Sequence, residues 1–218
     1  MRNIVMLGVQ GSGKGTQAEM LAKEFFLPTV STGRLFRSKI EEGTELGHEI
    51  ARYVEQGDLV PKDIVCQVVT NWMDAPAARD GFILDGFPRN VDQAEALTEM
   101  LSKNGRMLTD VVYIRLSDEE AVRRLSGRRV CTNRDCETKF HVDLHPSKHD
   151  PDKCDRCGSE LVHRSDDKPE AISRRLAIYN RETTPLIEYY RERGLLREVD
   201  GEQSITEVFK SIMENFRD

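Results

Sequence analysis

Residues Gly8 to Gln17 read GVQGSGKGTQ. Glycine at positions 8, 11, 13 and 15 lets the backbone curl tightly and come close to a ligand. Such a curl turns successive N–H groups inward, and a helix opening just after it points its positive end at the same place. Lys14 adds a mobile full charge. Together these groups can hold phosphate. The general phosphate-loop pattern, G-x-x-x-x-G-K-[ST], is met from Gly8 onward except at its last place, where Gly15 stands and Thr16 follows. The Thr16 hydroxyl can still face phosphate or Mg²⁺ if the helix starts at a slightly different phase. Read alone, the stretch could also be a glycine-rich turn with an incidental lysine.

A second constellation is four cysteines in two close pairs. Cys131-x4-Cys136 and Cys154-x2-Cys157 are separated by seventeen residues. Four thiolates in two pairs suit a tetrahedral Zn²⁺ site, and Gly158 permits the turn after the second pair. A closed four-thiolate site is structural, and the metal would fold a segment too polar to build its own core. His141, His145 and Asp155 are possible substitute ligands. Cys66 stands apart in DIVCQVV and reads as a small buried hydrophobe. Arginine outnumbers lysine 22 to 10, and its planar fork grips phosphate in bidentate fashion. Most of these arginines read as ordinary surface residues, so position must single out the exceptions. Arg89 follows Pro88 where a strand turns. Arg124 sits mid-helix beside Arg123, where a surface ion pair is the competing reading.

These residues need elements to position them. Asn3–Gly8 is a short apolar run ending in glycine, which predicts a strand buried on both faces. The segment after the loop, KGTQAEMLAKEF, carries Ala18, Leu21, Ala22 and Phe25 on one helical face. The loop therefore lies between a strand and a helix, the context its chemistry requires. Gly81–Gly86, Asp110–Leu116 and Leu196–Asp200 repeat the strand signal, with helical segments following. Ser117 with Glu120, and Ser204 with Glu207, predict capping boxes. This alternation predicts a doubly wound parallel α/β sheet. Two segments break it. Thr32–Val60 holds helical patterns only, and Arg128–Arg164 is polar and rich in turn residues. Both are expected to project from the sheet. Pro169 suits the first turn of a long helix, which Pro185 should kink or divide.

The chain has 218 residues, enough for one α/β domain with insertions. A mean hydropathy of −0.55 and the lack of a ~20-residue apolar run point away from a membrane. The apolar IVMLG near the start is too short for a signal-peptide core. A cytoplasmic protein with reduced cysteines is expected. A net charge of −6 argues against non-specific nucleic-acid binding.

The loop, with GKGT in place of GK[ST], resembles that of adenylate kinases. STGRLFR (31–37), GDLVP (57–61), LDGFPRNVDQA (84–94), SGRRVC (126–131), RSDDKPEAISRRL (164–176) and VDG (199–201) follow in family order and span nearly the whole chain. The resemblance is to the long, lid-bearing, zinc-type bacterial form. It implies a five-stranded phosphate-loop nucleoside-monophosphate-kinase fold with two inserted mobile segments. It divides the chain into a core (1–30, 61–127 and 165–218), a monophosphate-binding insertion (31–60) and a zinc-bearing lid (128–164). The implied reaction is MgATP + AMP ⇌ 2 ADP, by a monomer. Gly11, Ser12, Gly13, Lys14, Gly15 and Thr16 would cradle the ATP phosphates, with Arg124, Arg128, Lys139, Phe140 and Gln203 completing the ATP side. Thr32, Arg37, Asp58, Leu59, Val60, Gly86, Phe87, Pro88, Arg89 and Gln93 would form the AMP site together with Arg164 and Arg175. Arg37 and Arg89 would clamp the AMP phosphate and Gln93 would read adenine. Arg128, Arg164 and Arg175 would close on the migrating phosphoryl group, and Asp85 would hold Mg²⁺ through water. Concentrating cations around the moving phosphoryl group is what such a transfer needs.

Three departures from the family stand out. Gln10 replaces a common proline. Arg34 replaces the Asp of STGD, which shifts weight for Mg²⁺ onto Asp85. Phe140 replaces a tyrosine. The first cysteine pair also carries two extra residues. The competing functions are a kinase preferring UMP or CMP, an ATP-regulated zinc-ribbon protein that binds nucleic acid, and an inactive relative.

Overall fold

The computed structural model describes residues 1–133, 135–164 and 167–216. Five parallel strands form the central sheet: β1 (Arg2–Leu7), β2 (Thr29–Ser31), β3 (Gly81–Asp85), β4 (Asp110–Arg115) and β8 (Leu196–Asp200), in the order β2-β3-β1-β4-β8. Side chains alternate across it. Ile4, Met6, Ile83, Val112 and Ile114 pack on one face with α1 (Lys14–Phe25) and α9 (Ile205–Asn215). Val5, Leu7, Phe82, Leu84 and Val111 pack on the other, with α4 (Lys62–Met73), α5 (Val91–Lys103) and α8 (Pro185–Arg191). Both faces are covered, which explains why the strands read as continuous apolar runs. β2 has only three residues, too few to show a period, and it adds the edge strand beside β3.

The order reverses around β1, so the crevice at the C-terminal ends of β1 and β3 is where a ligand belongs. Gly8 ends β1 there at φ +147°, and a Cβ on it would lie 2.6 Å from the Ile114 carbonyl and 2.7 Å from Ser12 Oγ. Only glycine lets the loop turn beneath β4. The segment after β2 forms α2 (Thr32–Glu41) and α3 (Glu45–Gln56), packed through Phe36 and Ile50. After α6 (Asp118–Ser126), β5 (Arg128–Cys131), β6 (Lys139–His141) and β7 (Leu161–Val162) make a small antiparallel sheet in the order β6-β5-β7.

One local expectation needs revision. The Ser204–Glu207 capping box forms, but at Ser117 only half of one does. Glu120 holds Arg123 and Arg124 instead, and Glu202 accepts from both the amide and the hydroxyl of Ser117. The long helix is divided at Pro185, as its sequence suggests, with the irregular turn just upstream of the proline. α7 (Pro169–Ile178) passes into a π-turn at Tyr179–Thr183, and the Thr184 amide bonds to the Tyr179 carbonyl. Pro185 lacks an N–H and crowds the preceding turn, so the ladder widens upstream of it.

Candidate active site

The loop 8–16 delivers α1 with Gly13 at its N-cap and no side chain capping the helix. The first amides of a helix have no intrahelical partner, so they remain directed into the crevice. Ser12 Oγ, also buried there, has no hydrogen-bond partner among the described residues. Lys14 Nζ donates to the Val9 carbonyl at 2.8 Å, folding back over the loop. Its pKa is lowered from 10.5 to about 8, mainly by burial. Asp85 opposes that shift, while Arg89, Arg175 and Arg128 add to it, so all four lie close enough to act on one ammonium. Their elements are β3, the turn after it, α7 and β5, which converge from distant parts of the chain. Asp85 also faces the loop, since a Cβ on Gly15 would lie 3.4 Å from Asp85 Oδ2. Lys139 reaches over the same glycine from β6, its Nζ 2.8 Å from that Cβ position.

A narrow, partly open cleft lies beside this cluster, lined by Phe36, Leu59, Val60, Val65, Gly86, Arg89 and Gln93. Arg89 thus belongs both to the cleft and to the surroundings of Lys14. Its pKa is lowered, first by burial and against the pull of Asp85. Its Nε donates to the Gly86 carbonyl at 2.9 Å, which also accepts from the Thr32 hydroxyl at 3.0 Å. Gln93 Oε1 accepts the Arg89 amide at 2.8 Å. The side-chain NH₂ of Gln93 is therefore the end that does not face that amide, which fixes the donor and acceptor ends of a buried side chain.

Asp167 organises the other arginines. Its fully buried carboxylate accepts from Arg128 at 2.8 and 2.6 Å, and lies 3.6 Å from Arg175 Nη1. Arg128 and Arg175 are thereby held side by side before any substrate arrives. Asp167 lies within a motif identified in the sequence, but a partner 39 residues from Arg128 leaves no local signal of its role. Phe36 and Val65 line the cleft likewise without a local signal in the sequence. Arg164 precedes Asp167, whose amide donates to the Arg164 carbonyl.

Other expected site residues are placed differently from the phosphate cluster. Arg124 pairs with Glu120 at 2.7 Å. Asp58 accepts from Arg174 at 2.7 Å. Phe87 and Pro88 are buried, with the Phe87 ring in the main core. The Phe140 ring packs among Cys131, Cys154 and Leu161 and stacks on His145. Gln203 is exposed after the turn that follows β8. Arg34 and Arg37 both bond to Glu137.

The four cysteine sulfurs lie within 4.8 Å of one another, with Cys131–Cys157 at 3.4 Å and Cys136–Cys154 at 3.7 Å. Zinc–sulfur bonds of about 2.3 Å in a tetrahedron put sulfurs about 3.8 Å apart, so the donor set and spacing fit Zn²⁺. Hydrogen bonding to Ser159 pulls the Cys157 thiol down to about 6. Two of the possible substitute ligands are engaged elsewhere. His141 Nδ1 accepts the Asp143 and Leu144 amides, and Asp155 accepts from Ser147 and Lys148.

A parallel sheet with a phosphate loop at its switch point and arginines gathered over it defines a phosphotransferase of the nucleoside-monophosphate-kinase class. The sequence profile of the family described as adenylate kinase matches residues 6–195. The chain is 47% identical over 213 residues to an adenylate kinase of Dehalococcoides mccartyi, covering 98% of this chain and 97% of that one. It is 44% identical over 210 residues to that of Agathobacter rectalis, covering 96% and 97%. It is 42% identical over 210 residues to that of Archaeoglobus fulgidus, covering 96% and 95%. The chain belongs to the adenylate kinase family.

Proposed function

We propose that the chain moves the terminal phosphoryl group of MgATP to AMP, reversibly, giving two ADP. One observation carries the reading: Arg89 is shared between the cleft and the cation cluster around Lys14. A monophosphate seated in the cleft would present its phosphate to the same charges that meet the end of a triphosphate on the loop.

The chemistry is positioning plus charge. The loop amides and Lys14 would bind the ATP phosphates. Arg37 and Arg89 would hold the acceptor phosphate. Arg128, Arg175 and Arg164 would neutralise charge on the equatorial oxygens in flight, a preorganised arrangement that needs no rearrangement at the moment of transfer. Asp85 would orient the water shell of the substrate's Mg²⁺. Leu59 and Val60 would flank the base. Gln93, with its oxygen committed to Arg89, would offer an N–H to the base edge. Adenine presents the acceptor N1 there, whereas guanine and uracil present an N–H.

We assign 31–60 and 128–164 as the segments that close over the two nucleotides, with Lys139 already positioned over the loop. Closure excludes water that would otherwise take the phosphoryl group, a general behaviour of adenylate kinase lids. Cys131, Cys136, Cys154 and Cys157 would hold a structural Zn²⁺ that fixes the lid's fold. No helix among the described residues is long and apolar enough to cross a membrane, and we place the activity in the cytoplasm. The negative net charge supports action on nucleotides and not on nucleic acid, and we take the chain to act as a monomer.

Initial rates with MgATP and each of AMP, GMP, CMP and UMP test the reading. AMP is expected to lead by at least an order of magnitude. Equal or faster rates with UMP or CMP would assign the cleft to a pyrimidine.

A further inference from the structure

Glu137 lies in the turn after Cys136, where the amides of both residues donate to the Asn133 carbonyl at 2.9 and 3.0 Å. Its φ is +42°, and among the described residues the only other non-glycine with positive φ is Phe26. Left-handed backbone is ordinarily supplied by glycine, so a carboxylate here is held against backbone preference. Its side chain crosses to the insertion. Oε2 accepts from Arg34 Nε at 2.9 Å, and Oε1 accepts from Arg37 Nη2 at 3.0 Å. Arg34 and Arg37 are three residues apart on α2, and so lie on one face of it. Both carboxylate oxygens are used, and the side chain is only 24% exposed.

A carboxylate is the closest protein counterpart of a phosphate: a flat pair of oxygens matched to a guanidinium fork. We propose that Glu137 is a tethered competitor of the AMP phosphate, bound to Arg37 until AMP displaces it. The inference rests on the assignment of Arg37 to that phosphate. A phosphate monoester carries about −1.5 to −2 charge at pH 7 and three acceptor oxygens, so it wins the contest. The consequence is reciprocal. With AMP absent, the contact pins the turn after Cys136 to α2. With AMP bound, Glu137 must leave, because it would face a like charge. Arg34 provides the second anchor that makes the resting contact bidentate. Glu137 therefore tunes acceptor affinity while leaving the ATP side alone.

Calorimetric titration of AMP and, separately, ATP into the nucleotide-free protein tests this, using the parent, Glu137→Gln, Glu137→Gly and Arg37→Ala. Both Glu137 variants are expected to bind AMP about three- to tenfold more tightly, equivalent to about 0.6–1.4 kcal/mol. ATP affinity should stay within twofold, and Arg37→Ala should weaken AMP. Unchanged or weaker AMP binding in the Glu137 variants, with Arg37→Ala still weakening AMP, overturns the inference and leaves the Arg37 assignment standing. An equal gain for ATP overturns it as well. Normal AMP binding in Arg37→Ala removes the assignment and the inference together.

Discussion

Asp167→Asn removes one charge and almost no volume from the point where two cationic side chains meet. In the parent, the Asp167 side chain has no exposed surface, and those of Arg128 and Arg175 are each 19% exposed. Breaking a buried ion pair costs about 3–5 kcal/mol, because a charge is left in a medium that solvates it poorly. The arginines keep some water, so the expected loss is about 2–4 kcal/mol. For a chain of this length each kcal/mol lowers the melting midpoint by about 2–4 °C, which predicts a drop of roughly 4–16 °C. Thermal unfolding followed by circular dichroism at pH 7 reads this directly. A second variant separates charge from packing: Arg128→Met in the Asp167→Asn background should recover part of the loss, since one orphaned charge is gone. Turnover should also fall about ten- to a hundredfold, because the two guanidiniums lose their shared anchor and an error near 1 Å is costly. A midpoint within 1 °C of the parent would refute the claim that Asp167 holds the arginines in place.

Lys14 loses its proton at about 8 in the folded chain against 10.5 when unfolded, so the unfolded state binds more protons between those values. Stability should rise with pH across that window in the parent and lose that slope in Lys14→Met, as urea titrations at successive pH values would show. ATP favours the charged lysine, so its affinity in the parent should fall above pH 8 by up to tenfold per unit, with proton uptake on binding measurable in buffers of different ionisation heat. Gly86→Ala places a Cβ 2.7 Å from Thr32 Oγ1 on a backbone at φ +85°, and should raise KM for AMP at least tenfold while KM for ATP changes little. Elemental analysis should find about one zinc per chain, and a strong chelator or Cys154→Ser should lower the melting midpoint of the lid, detectable by protease sensitivity within 128–164.

The parts legible in the sequence are those with a short repeat or a fixed spacing. β1, β3 and β4 show as continuous apolar runs because helices cover both faces of the sheet, and the loop shows through its glycines and Lys14. The cysteine pairs show through their spacing, and the structure brings their sulfurs together. What stayed hidden depends on pairing across long distances. The edge strand β2 is too short to display alternation. Asp167 looks like any acidic residue in a polar run until folding buries it between Arg128 and Arg175. Glu202 completes the cap at Ser117 from 85 residues away, displacing the local partner Glu120 that the motif suggests. Phe140 shows how a residue type can mislead about direction. An aromatic on a three-residue strand can face a nucleotide or the strand's own small core, and here it packs against the cysteines. Arg34 breaks the family pattern in sequence, but its partner Glu137 becomes visible only when the turn after Cys136 comes to lie against α2.

The central claim is that one cluster of cations serves a donor and an acceptor nucleotide at once. Quantifying all products after mixing MgATP with AMP tests it most directly. The account predicts two ADP formed for each AMP consumed, no ADP without AMP, and no release of inorganic phosphate. ADP formed together with free phosphate, at a rate indifferent to AMP, would contradict it.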